Sequence, residues 1–147
     1  MKVLLAVDGS SCSLAAVRHA LQLVADGLSA SFVLANVQEP ASLYEVVVAH
    51  DAQVLENIRD EAGAHALVAA EALLRGAGQA FESEIVSGDP GHLLVDVAQR
   101  VGADLIVMGA RGSGDTRAAL GSAASAVLHA ALDGRPLPVT IVRQPEG

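Results

Sequence analysis

Two periodicities alternate along the chain. Residues 3–7, Val-Leu-Leu-Ala-Val, are apolar at every position, the signature of a strand buried on both faces. Asp8-Gly9-Ser10-Ser11 then supplies turn and helix-capping chemistry. Leu14, Val17, Leu21 and Val24 recur at spacings of three and four, one stripe of a helix that ends near Gly27. Residues 32–37 read as a second strand. Pro40 breaks any element beyond it, and the Val-Val-Val run at 46–48 fits either a helix start or a loop packed on the sheet. A long helix follows to about Gly76, with Val54, Ile58, Ala62, Ala66, Ala69 and Leu73 as its expected buried face. Residues 81–86 are the third strand. Gly88-Asp89-Pro90 opens the next helix, since Asp89 can cap free N–H groups and Pro90 loses only an N–H that has no partner. Leu94, Val97 and Val101 mark its stripe. Residues 105–108 form a fourth, wholly apolar strand, and a glycine-rich loop leads to a helix with Ala124, Val127, Leu128 and Ala131 inward. Residues 139–142 are the last strand. Strand and helix thus alternate throughout, which makes the fold class α/β, a doubly wound parallel sheet with helices on both faces.

Length adds that residues 1–147 are the usual size of one domain. Aromatic residues are only 2% and the net charge is −8. A chain that acidic and that poor in stacking rings is not expected to bind nucleic acid. No uninterrupted apolar stretch approaches the ~20 residues of a membrane helix. The start of the chain lacks a signal-peptide pattern, and Cys12 is the only cysteine, so no internal disulfide can form. These features predict a cytoplasmic protein with no membrane partner. The charge is uneven: between 109 and 143 four arginines face two acids, a local balance that suits a small anion.

The chemistry-bearing residues stand at the ends of apolar strands. Asp8 follows the first strand, and Gly109-Ala110-Arg111-Gly112 follows the fourth and leads to Gly121-Ser122. Ligands of open α/β sheets bind beyond the carboxyl ends of strands whose connections leave to opposite faces. Gly109 and Gly112 let backbone N–H groups approach a phosphate. Gly121-Ser122-Ala123 opens a helix whose positive end attracts an anion. The Ser122 hydroxyl adds a donor and Arg111 adds charge, while Asp8 suits ribose hydroxyls or Mg²⁺. Read singly, the same glycines also serve as plain turns, with Asp8 and Ser122 as helix caps. His92 and Asp96 share a helix face at i and i+4, too few groups to define a metal site.

Taken together, Val-Asp-Gly-Ser at 7–10, Gly-Asp-Pro at 88–90, Ala-Asp-Leu-Ile-Val-Met-Gly-Ala-Arg-Gly at 103–112 and Gly-Ser at 121–122 resemble the universal stress protein family. The resemblance covers essentially the whole chain. It implies a five-stranded sheet in the order 3-2-1-4-5, which sets the Asp8 and Gly109 loops side by side. It also implies a homodimer formed through the edge strand at 139–142. Family members that bind ATP share G-x-x-G, nine residues, then G-[S/T]. Gly109, Gly112, Gly121 and Ser122 match, with eight residues between the two pairs, and Ala124 stands where a hydroxyl residue is common. The resemblance carries the base and ribose contacts onto Ala6, Val7, Asp8, Val37 and Met108.

Competing motifs are absent. There is no G-x-x-x-x-G-K-[S/T], no G-x-G-x-x-G after the first strand, and no G-x-S-x-G elbow. The expected function is therefore a stress-response binding module for ATP or a related adenine nucleotide, not an enzyme. A nucleotide-free dimeric scaffold and a slow nucleotide hydrolase are the alternatives.

Overall fold

The computed structural model describes residues 1–38, 52–112, 120–132 and 136–144. The 46–48 run and positions 113–119 of the glycine loop lie outside the described residues. The elements are β1 (Lys2–Ala6), α1 (Ser11–Ala25), β2 (Ser31–Gln38), α2 (Ala52–Gly76), β3 (Phe81–Ser87), α3 (Pro90–Val101), β4 (Leu105–Gly109), α4 (Ser122–Ala131) and β5 (Val139–Val142). The five strands form one sheet in the order β3-β2-β1-β4-β5, and every pair is parallel. That is the expected topology.

Alternation along the strands builds two cores. Val3, Leu5, Val7, Phe32, Leu34 and Val107 face α1 and α2. Leu4, Val33, Ala35, Ile106 and Met108 face α3 and α4. Small residues let the helices lie close: Ala16 and Ala20 of α1, and Ala98 of α3, are buried at the sheet. At Gly91 an added Cβ would come within 2.5 Å of the Ala126 Cβ, so α3 and α4 cross there almost backbone to backbone.

Two local readings need correction. The buried face of α2 is Gly63, Leu67, Ala70 and Leu74, one residue out of step with the expected stripe. Val54 and Ile58 are 44% and 55% exposed. In a helix this rich in alanine the polar–apolar contrast is weak, and the two branched residues drew the stripe toward the solvent side. At α3, Asp89 does hold the N-cap position, but its side chain makes no capping hydrogen bond. Its carboxylate turns instead to the His92 ring, 2.6 Å from Nδ1, so His92 pairs with the residue three positions before it. Among the described residues, no helix is long and apolar enough to cross a membrane.

Candidate functional site

The sheet splits its connections between β1 and β4. The chain leaves β1 for α1 on one face and leaves β4 toward α4 on the other, and a crevice must open between their carboxyl ends. A cleft of about 250 Å³ occupies that position. Ala6, Val7, Asp8, Val37, Met108, Gly109, Arg111, Gly112, Ser122, Ala123 and Ala124 all line it. The structure thus gathers every sequence-predicted site residue except Gly121.

The floor is apolar. Met108 and Ala124 are buried, and Ala6 and Val37 pack against the same core. The rim is polar, with Asp8, Arg111 and Ser122 around it. The Asp8 carboxylate accepts the Ser10 N–H at 2.9 Å, which folds the chain back sharply after β1. Gly9 makes that turn at φ +84°, with an added Cβ only 3.4 Å from the Ala66 backbone. Ser10 then caps α1 through the Ser13 N–H at 3.2 Å, and the Ser13 hydroxyl returns a bond to the Ser10 carbonyl at 2.9 Å.

At the other wall, Gly121 precedes α4 in an extended conformation (φ −71°, ψ 170°) and offers no side-chain cap. The first intrahelical bond runs from Ser125 N–H to the Gly121 carbonyl at 3.0 Å. The N–H groups of Ser122, Ala123 and Ala124 therefore have no helical partner, and all three residues line the cleft. Gly121 differs from the sequence reading. Its N–H is already donated to the Ala110 carbonyl at 2.6 Å, so it ties α4 to the end of β4. Gly109 has a different reason to be glycine as well. An added Cβ would lie 2.9 Å from the carbonyl carbon, carbonyl oxygen and Sγ of Cys12. Close packing of α1 on β4, rather than a left-handed turn, requires glycine there.

Four lining residues were missed from sequence: Ser13, Ala35, Pro90 and Leu94. Pro90 and Leu94 belong to α3, which crosses from the β3 edge toward β4 over the second core. The signal was the strand order itself, which brings the start of that crossing helix over the crevice. Beside Pro90, the hydrogen bond to His92 holds the Asp89 carboxyl below the usual carboxylate range. Among the described residues, no three His, Cys, Asp or Glu side chains converge to hold a metal ion.

A cleft of this kind at the β1–β4 switch, with these motifs around it, agrees with a sequence profile described as the Universal stress protein family, which matches residues 1–143. The chain belongs to the universal stress protein family. The universal stress protein MJ0531 of Methanocaldococcus jannaschii is 29% identical over 146 residues, covering 99% of this chain and 83% of that one. Among solved structures, the universal stress protein UspA from Lactobacillus plantarum is 26% identical, with a TM-score of 0.76 and 97% of each chain covered. A universal stress protein crystallised in complex with cAMP is 28% identical, with a TM-score of 0.67 and coverage of 97% of this chain and 96% of that one. The family expectation drawn from the motifs is therefore met, and the strand order it implied is the one observed.

Proposed function

We propose that this universal stress protein binds an adenine nucleotide in the cleft. One observation carries the reading: a single crevice joins an apolar slot to a helix start that Gly121 leaves without a side-chain cap. The base would rest against Val37, Met108 and Leu94. The phosphates would take the N–H groups of Ser122, Ala123 and Ala124, with Arg111 supplying charge. Asp8, which lines the same cleft, would take the ribose hydroxyls. The cAMP complex of a relative supports an adenine nucleotide as the ligand class. Asp8 is the only carboxylate among the described lining residues, which fits a Mg²⁺ carried in by ATP phosphates better than an ion held by protein ligands.

The protein acts as a binder rather than a catalyst. Phosphoryl transfer needs strong positive charge and a group to orient the nucleophile. The single lysine, Lys2, is at the opposite end of the sheet, where its Nζ donates to the Val101 carbonyl at 3.0 Å.

Calorimetric titration with ATP, AMP and cAMP tests the binding reading. Ala123→Val fills the phosphate end and is expected to weaken binding strongly. Ser122→Ala removes one hydrogen bond worth about 0.5–1.5 kcal/mol. Absence of binding by the native protein refutes the proposal and favours the scaffold alternative. Binding indifferent to Ala123→Val places the ligand elsewhere.

A homodimer through β5 is the second part of the proposal. β5 is a strand of four residues, Val-Thr-Ile-Val, at the edge of the sheet, and among the described residues it pairs with β4 alone. It lacks the charges that protect the other edge, where Glu82 and Glu84 lie on β3. An apolar, uncharged edge invites pairing with a second copy.

A further inference from the structure

The apolar stripe of β2 is interrupted by one buried amide. Phe32, Leu34 and Asn36 share the face toward α2, and Asn36 is only 2% exposed. An amide there costs free energy unless its groups are bonded. Both are: Nδ2 donates to the Val7 carbonyl at 2.8 Å, and Oδ1 accepts from Gln38 Nε2 at 2.6 Å. The Val7 carbonyl can only accept, which fixes the amide's orientation. The side chain is also held from above, since a Cβ on Gly63 would lie 3.0 Å from Oδ1.

What Asn36 does to the ladder is more specific than filling the core. Strand β1 pairs with β2 as far as Ala6 opposite Ala35, and the Val7 N–H still donates to the Ala35 carbonyl at 2.9 Å. The next rung of a parallel ladder would run from the Val37 N–H to the Val7 carbonyl. That rung is not formed: the pairing ends at Ala35, and the Val7 carbonyl accepts Asn36 Nδ2 instead. The polar backbone groups of residues 35 and 37 point the same way along β2, toward β1, whereas Gln38 faces β3 and accepts the Gly88 N–H at 3.0 Å. The Val37 N–H and carbonyl consequently face the gap between β1 and β2, at a point where Val37 lines the cleft. The Gln38 side chain reaches back across Val37 to Asn36 and braces the peptide from the other face.

We propose that Asn36 is a positioning residue: by capturing the Val7 carbonyl it stops the β1–β2 ladder one rung early and leaves the Val37 peptide directed at the ligand. The inference rests on the adenine-nucleotide reading for the ligand's identity, because a donor–acceptor pair from one peptide matches the donor–acceptor edge of an adenine ring. It does not rest on that reading for the strand geometry.

The test separates the two. Amide hydrogen exchange of the ligand-free protein is compared for the native chain and Asn36→Leu. With the amide gone, the Val37 N–H closes onto the Val7 carbonyl. Its exchange should slow at least about tenfold, and AMP affinity should fall by about the same factor. A merely structural role predicts the opposite sign, faster exchange at Val37 along with its neighbours, and that result overturns the proposal. Asn36→Asp provides a second route should the leucine variant not fold. Among the described residues, the neighbours of the amide, Val7, Gln38, Gly63 and Ile85, are uncharged, and a buried acid stays protonated to higher pH than an exposed one. In acid it donates to Val7 as the amide does, so the Val37 amide resonance should return to its native position as pH falls. A resonance that ignores pH overturns the proposal. Native protein that binds no AMP while the exchange pattern holds overturns the nucleotide reading alone.

Discussion

Glycines at strand ends carry two kinds of information that sequence does not separate. Gly109 reads as a residue that lets a phosphate approach, yet its missing Cβ makes room for the Cys12 backbone and Sγ at 2.9 Å. Gly109→Ala is expected to cost roughly 1–3 kcal/mol through overpacking. Adding Cys12→Ala should recover little of it, because backbone atoms remain in the way; thermal melts of the single and double variants check this. Gly121 shows the reverse case: φ is ordinary and its N–H is spent on Ala110. The exposed pair at α3 gives a pH prediction. The His92 hydrogen bond lowers the Asp89 pKa, so its small contribution to stability is present above the ordinary carboxylate range and lost as pH falls through the lowered value. His92→Ala should return the Asp89 titration to the ordinary range, as followed by carboxyl carbon NMR. Asn36 was legible only as a member of an apolar strand, because nothing in a single sequence tells which carbonyl a buried amide will meet.

At the scale of elements, continuous apolar runs identified the central strands β1 and β4, since strands buried on both faces leave little ambiguity, whereas β3, with Glu82 and Glu84, was legible from its place between two helices. The helices were legible as helices, but α2 was turned to the wrong face because alanine packs equally well on either side. The crossing of α3 and α4 was not legible at all, as it depends on Gly91 meeting Ala126, 35 residues further along the chain. Gly91→Ala should destabilise the protein by about 1–3 kcal/mol and, by spreading the two helices, loosen the cleft between Leu94 and Ala124. Denaturant unfolding measures the first effect and nucleotide titration the second. The β5 edge yields a sharper test of dimerisation than its sequence did. The Pro138 and Val142 carbonyls accept from Ile106 and Ala110 of the β4 side, so by alternation Thr140 also faces β4 while Val139 and Ile141 turn their peptide groups outward. Ile141→Pro should therefore release monomers in light scattering with the sheet intact. Thr140→Pro should instead damage β4–β5 pairing and lower stability. A native monomer at micromolar concentration would contradict the dimer.

For the whole molecule, fold and site location followed from one topological fact: β1 and β4 are neighbours whose helices leave to opposite faces. The family's strand order supplied that adjacency, and the sheet places Asp8, Val37, Met108, Arg111 and Ser122 around one cleft. The contribution of α3 escaped notice because Pro90 and Leu94 are ordinary helix residues until the crossing is known. The central claim is that this cleft holds an adenine nucleotide, and amide chemical-shift mapping with AMP addresses it most directly. The account predicts saturable shifts centred on Ala6–Asp8, Val37, Met108, Arg111 and Ser122–Ala124, with little change at the Lys2 end of the sheet. A spectrum unaltered at millimolar AMP, or shifts clustered away from the β1–β4 crevice, would contradict it.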